Sequence, residues 1–159
     1  MRQKEVAKWL KGITIAVGFM GLVFFCLILP VLAGEMRDTY PEVGFLYWPG
    51  MIYGWVIGIG CYSVLFLFWR VCNEIRKDNS FSKENADAFV QISRIALALA
   101  IIWFVGFTLL AIKQWLGVAI TILMIFAVLI SIIVAILAAA LSHLILKAYE
   151  MKQENELTI

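Results

Sequence analysis

The stretch R-V-C-N-E-I-R-K-D-N-S-F-S-K-E-N-A-D-A-F-V-Q-I-S-R, Arg70 to Arg94, decides the fold. It is the most densely charged run of the chain, and it separates two halves that are almost wholly apolar. Asn79 and Ser80 read as a helix stop and a turn. Ser82 reads as an N-cap, with Lys83, Glu84 and Asn85 as the first helical turn behind it. Glu84 and Asp87 sit where the helix dipole favours carboxylates. Phe81, just before the cap, is expected to fold back on the helix as a hydrophobic staple. Ala86, Phe89, Val90, Ser93, Ala96 and Leu97 then fall on one helical face. The stretch is therefore a turn between two helices.

Outward from it lie runs without a single charge. They are Gly12 to Gly34, Val43 to Trp69, Ile95 to Ile112 and Gln114 to Leu146. Each reaches the roughly 18 to 20 residues that cross ~30 Å of hydrocarbon. Of the 159 residues, 64% are hydrophobic and 15% charged, which excludes a soluble domain of this size. The prediction is an all-α polytopic membrane protein, a single bundle of four transmembrane helices over residues 1–159. The spans are placed at about 12–33, 50–70, 93–112 and 118–143, with a linker at 71–92. The first run has basic residues ahead of it, and Val31, Leu32 and Ala33 resemble a cleavage site. Its apolar part is too long for a signal peptide, so it reads as a retained anchor.

Lysine and arginine set the orientation. Arg2, Lys4, Lys8 and Lys11 lead the chain. Arg70, Arg76, Lys77, Lys83 and Arg94 mark the linker, and Lys147 and Lys152 the tail. The other two loops carry only Arg37 and Lys113. Both termini and the linker are expected in the cytoplasm. The net charge of +2 follows from this bias and gives no reason to expect nucleic-acid binding.

Pro30 is expected to bend or end the first helix, with an outer loop from Gly34 to Trp48. Tyr40, Tyr47 and Trp48 suit the outer interface, and Pro49 suits the first turn of the next helix. That helix carries Gly50, Gly54 and Gly58 at spacing four, a stripe that lets backbones approach in lipid. The same stripe would serve a homo-oligomer seam. Arg70 and Glu74 are spaced to pair at i, i+4. In the last helix Ala127, Ser131, Ala135 and Ala139 form a second small-residue stripe that His143 continues. This helix is expected to run past Tyr149 and fray at Glu154 to Ile159.

The predicted spans hold no acidic or basic residue at midplane depth, where ion-coupled carriers place their coupling charge. His143 is the single histidine, so two-histidine haem ligation within one chain is excluded. Cys26, Cys61 and Cys72 are dispersed and read as free buried thiols. No nucleophile, phosphate-loop or zinc motif is present. No enzyme activity, cofactor or metal is expected.

The linker D-N-S-F-S-K-E-N, Asp78 to Asn85, followed by Phe89 and Ile92, resembles the hallmark of a four-span bacterial family. The end E-N-E-L-T-I, Glu154 to Ile159, is similar to that family's characteristic end. The family is the domain-of-unknown-function family number twenty-nine seventy-five. Ser80 stands where it often carries proline. The resemblance implies a Gram-positive membrane protein, often encoded beside a small Cro/C1-type helix-turn-helix regulator. It brings no catalytic residues.

The leading expectation is a non-enzymatic regulatory membrane protein that binds such a cytoplasmic regulator. The candidate contacts are Arg76, Lys77, Asp78, Asn79, Phe81, Ser82, Glu84 and Asn85, with Glu154, Asn155 and Leu157 of the tail. Two alternatives stay open. One is an immunity protein against a membrane-active peptide, using the outer loop from Glu35 to Trp48. The other is a small carrier or channel, with Tyr62, Thr108 and Thr121 along a narrow polar path.

Overall fold

The computed structural model describes residues 3–115 and 117–157, and among these there is no strand. The elements are α1 (Gln3–Val23), a π-turn (Phe24–Ile28), α2 (Leu29–Thr39), a 3-10 turn (Pro41–Leu46), α3 (Tyr47–Arg76), α4 (Lys83–Ile112) and α5 (Val118–Leu157). The segments Lys4–Thr39, Pro41–Arg76, Lys83–Ile112 and Ile120–Asn155 are 4 helical stretches long and apolar enough to cross a membrane. The chain is a four-helix membrane bundle.

Pro30 does not end the first helix. Proline lacks an N–H and crowds the carbonyl four residues back. The backbone answers with a wider turn just before it, in which the Leu29 N–H reaches the Phe24 carbonyl. Helix α2 then carries on to Thr39, so much of the expected outer loop is helical. Its remainder is held by rings. Phe45 meets Trp115 edge-on at 5.4 Å, and Arg37 lies over Tyr47 at 5.1 Å.

Close backbone contacts join α1 to α3, α3 to α4 and α4 to α5. Among the described residues they join neither α1 to α4 or α5 nor α3 to α5, so the bundle is an open succession of pairs. Packing is dense toward the linker. Leu67, Ile92 and Ala138 form a buried cluster, with Val64, Phe68, Phe89 and Ile95 against it. Most large apolar side chains of α1 and α5 face outward, as lipid-facing residues do.

Glycines set the approach of the π-turn and α2 to α3, and of α3 to α4. A Cβ on Gly58 would lie 3.2 Å from the Phe25 ring, and one on Gly54 2.5 Å from a Leu29 methyl. Gly50 has nothing within 4 Å and takes no part. Two further glycines at close contacts fall outside the spacing-four stripe. They are Gly60 against Leu99, and Gly106 against the Tyr53 hydroxyl. Gly54→Leu is therefore expected to destabilise the bundle by roughly 1 to 3 kcal/mol through overpacking, and Gly50→Leu by much less. Thermal unfolding in detergent checks this, and equal midpoints for the two variants would overturn it.

The stripe on α5 drifts. Ala127 and Ser131 are half-buried and Ala135 is buried, but Ala139 and His143 are exposed. Ala138 and Ser142 are buried in their place. A step of four residues overshoots the ~3.6-residue turn by roughly 40°, so the stripe crosses the contact line near Ala135 and has left it by Ala139 and His143. The Ser93 hydroxyl donates to the Ala135 carbonyl at 2.8 Å and fixes the α4–α5 register.

Candidate functional site

The linker is short and internally bonded. Helix α3 ends on Lys77, and Asp78 takes a left-handed conformation with φ 59°. The Asp78 N–H reaches the Ile75 carbonyl at 3.2 Å, and the Asn79 N–H reaches the Glu74 carbonyl at 3.1 Å. This pair of bonds is the Schellman closure, and it satisfies carbonyls the helix end leaves open. The same closure ends α4, where Gln114 has φ 55° and the Trp115 N–H reaches the Leu110 carbonyl.

Glu74 ties this turn together. Its carboxylate accepts from Lys77 Nζ at 2.8 Å and from Asn79 Nδ2 at 3.1 Å. The pairing expected with Arg70 does not form, because the turn folds Lys77 and Asn79 back onto the same carboxylate. Arg70 stays exposed.

Behind the turn, Ser82 caps α4 as its residue type predicts. Its φ of −121° is extended, and its Oγ accepts from the Asn85 N–H at 3.2 Å. The Asn85 side chain reaches back, with Nδ2 donating to the Ser80 carbonyl at 3.0 Å and facing the Asn79 carbonyl at 3.4 Å. Asn85 thus fills the N3 position where a capping box would place Glu or Gln, and it ties the linker backbone rather than the cap N–H.

This geometry sorts the candidate contacts. Ser82 is 1% exposed and Asn85 2%, so both are interior and shape the surface without forming it. Asn79 is half-buried and engaged with Glu74. Arg76, Lys77, Asp78, Phe81 and Glu84 are exposed. Phe81, just before the cap, stands 56% exposed, and Ala86, the residue a staple would cover, is buried.

The tail stands apart from this surface. About ten residues separate Ser93 from the start of α4, whereas about twenty separate Ala135 from Asn155. At ~1.5 Å per residue, α5 projects roughly 15 Å beyond α4. The helix continues to Leu157, so the expected fraying at Glu154 does not occur there. Glu154 and Asn155 are exposed. The Leu157 side chain, Thr158 and Ile159 lie outside the described residues.

Other polar groups have structural duties. Lys11 donates to Asn73 Oδ1 and lies 4.8 Å from the centre of the Trp69 ring, which locks α1 to α3. Tyr62 bonds the Gly18 carbonyl, Thr108 the Phe104 carbonyl and Thr121 the Gly117 carbonyl. These three sit on three different helices, each turned to a backbone carbonyl. Among the described residues no group of His, Cys, Asp and Glu is placed to hold a metal ion.

Comparison with known proteins agrees with this layout. The uncharacterized membrane protein YoaS of Bacillus subtilis (strain 168) is 26% identical over 153 residues, covering 95% of this chain and 96% of that protein. No solved structure matches. The family model described as a protein of unknown function, DUF2975, matches residues 31–159, which take in α3, the linker, α4 and α5, and the chain belongs to that family.

Proposed function

We propose that this protein is a non-enzymatic regulatory membrane protein whose linker docks a cytoplasmic partner, a small Cro/C1-type helix-turn-helix regulator. The observation that carries the reading is Phe81. A large aromatic ring that is 56% exposed sits on a polar turn between Arg76, Lys77 and Lys83 on one hand and Asp78 and Glu84 on the other. Aromatic rings ringed by polar groups are the usual anchors of protein interfaces. The turn is held by Glu74, Asn79 and Asn85, so little conformational entropy is lost when a partner binds. Mixed charge around the ring supplies selectivity. The excess of Lys and Arg on the linker and both ends favours a cytoplasmic location for this surface. The exposed Glu154 and Asn155, on the end of α5 that projects beyond the linker, give the partner a second, separate contact.

The test is co-purification in mild detergent with a small Cro/C1-type helix-turn-helix regulator of the kind the family resemblance implies. Phe81→Ala is expected to weaken capture roughly thirtyfold, as loss of an interface anchor worth ~2 kcal/mol does. Arg76→Glu is expected to weaken it as well. Both positions are exposed, so stability should change by no more than about 0.5 kcal/mol. Lys77 is left intact because it holds Glu74. No capture by the wild type, or equal capture by all three proteins, would end the docking reading.

A further inference from the structure

The open arrangement of the π-turn, α3 and α4 leaves a lateral groove of about 960 Å³ along α3. Trp55, Ile59, Tyr62 and Phe66 form its wall, and Arg70 and Gln91 stand at its mouth. The wall residues recur at helical spacing, and all are exposed, Ile59 at 69% and Phe66 at 65%. From Trp55 to Arg70 the stripe is roughly 22 Å long. That exceeds the ~15 Å depth of one leaflet's hydrocarbon, so the groove runs from headgroup level to beyond the midplane.

The mouth is polar and uncommitted. Among the described residues Arg70 makes no hydrogen bond or ion pair. The carboxylate it would meet on its own helix, Glu74, is held by Lys77 and Asn79 and acts on Arg70 only through space. Gln91 stands across from it on α4 and brings an amide. A planar guanidinium above an apolar channel matches an amphiphile with an anionic head, because its donors fit two phosphate oxygens at once.

We propose that this groove binds one anionic glycerophospholipid. The phosphate lies between Arg70 and Gln91, and an acyl chain lies along Phe66, Tyr62, Ile59 and Trp55. Basic pockets between membrane helices bind anionic headgroups in this way. A second copy fits less well. Two chains facing each other through the same groove about an axis along the membrane normal would bring their Arg70 side chains to the same depth, like charge against like. The proposal concerns the groove alone and does not depend on the docking surface of the linker.

Native mass spectrometry of the full chain in mild detergent tests it, with phosphatidylglycerol or phosphatidylcholine of identical chains titrated in. The wild type is expected to retain phosphatidylglycerol at about tenfold lower concentration than phosphatidylcholine, the scale of one charge-assisted hydrogen bond. Arg70→Gln should abolish that preference. Lys8→Gln, which removes an exposed cation near the same end of the bundle, should keep it. Ser63→Trp fills the groove without touching the charge and should lower retention of both lipids. If that variant does not fold, Arg70→Gln decides alone. Absence of adducts, equal retention of the two lipids by the wild type, or a preference that survives Arg70→Gln would overturn the proposal. So would glycerol phosphate competing as well as the lipid, which would mark a free-anion site. A lipid-free dimer lost in Ser63→Trp would assign the groove to a second copy.

Discussion

Asn85→Asp is expected to destabilise the protein by about 3 kcal/mol, more than Asn85→Ala, although it changes the shape of the side chain least. The side chain is 2% exposed, and its Nδ2 faces the Ser80 and Asn79 carbonyls at 3.0 and 3.4 Å. Alanine removes the donor and leaves the carbonyls without it, a loss of roughly 1 to 3 kcal/mol. Aspartate removes the donor and points a charged oxygen at two carbonyl oxygens in a dry site, which adds repulsion and desolvation. The position lies in the first turn of α4, where the helix dipole returns at most about 1 kcal/mol to a carboxylate. That is too little to reverse the sign. The same repulsion and desolvation raise the introduced carboxyl's folded pKa above its unfolded value near 3.9. Stability of the variant is then lost as pH rises above that unfolded value, and the deficit shrinks toward pH 4. Thermal unfolding in detergent at two pH values reads this. Trypsin cleavage within the linker should quicken roughly a hundredfold at neutral pH if the linker opens locally. A variant as stable as Asn85→Ala at neutral pH would show that the Nδ2 contacts do not hold the linker.

What the residues disclose in advance depends on the range of the interaction. The four helices follow from charge-free length alone, because a single apolar segment of that length satisfies its N–H and C=O groups within itself only as a helix. The cap at Ser82 follows from a side chain bonding three residues on, and it is observed at 3.2 Å. Asn85 lies just as close in sequence, yet its role depends on where the linker carbonyls turn. Glu74 was within reach of both Arg70 and Lys77, and the left-handed Asp78 decides between them by bringing Lys77 and Asn79 back. Phe81 carries the signature of a staple, yet more than half of its surface stays exposed. Pro30 carries a helix-ending signal that a single wide turn absorbs. At the candidate site, the residue types were therefore readable. Which of them face outward was not, since that is fixed by packing across three helices.

The same distinction governs Gly106, which no spacing rule marks and where the second large effect is expected. A Cβ there would overlap the Tyr53 hydroxyl and lie 2.8 Å from its Cζ. Tyr53 has little room to yield. Its hydroxyl donates to the Ile102 carbonyl at 2.9 Å, and its ring meets Trp103 edge-on at 5.8 Å. Gly106→Leu must therefore separate α3 from α4 or expel the ring. Overpacking costs roughly 1 to 3 kcal/mol, and the lost interhelical hydrogen bond about 0.6 more in a membrane setting. The clash predominates, so the expected total is about 3 kcal/mol. A double-mutant cycle separates the two contributions. Tyr53→Phe alone should cost only about 0.6 kcal/mol, since it removes the bond and keeps the ring. If the hydroxyl is what the new side chain strikes, Tyr53→Phe should also soften Gly106→Ala. The double variant would then be more stable than the two single losses predict, by at least about 0.5 kcal/mol. Strict additivity in thermal or denaturant unfolding would mean that the new side chain strikes the ring, which tyrosine and phenylalanine both carry, and a small cost of Gly106→Leu would mean that Gly106 has no part in setting the distance between α3 and α4.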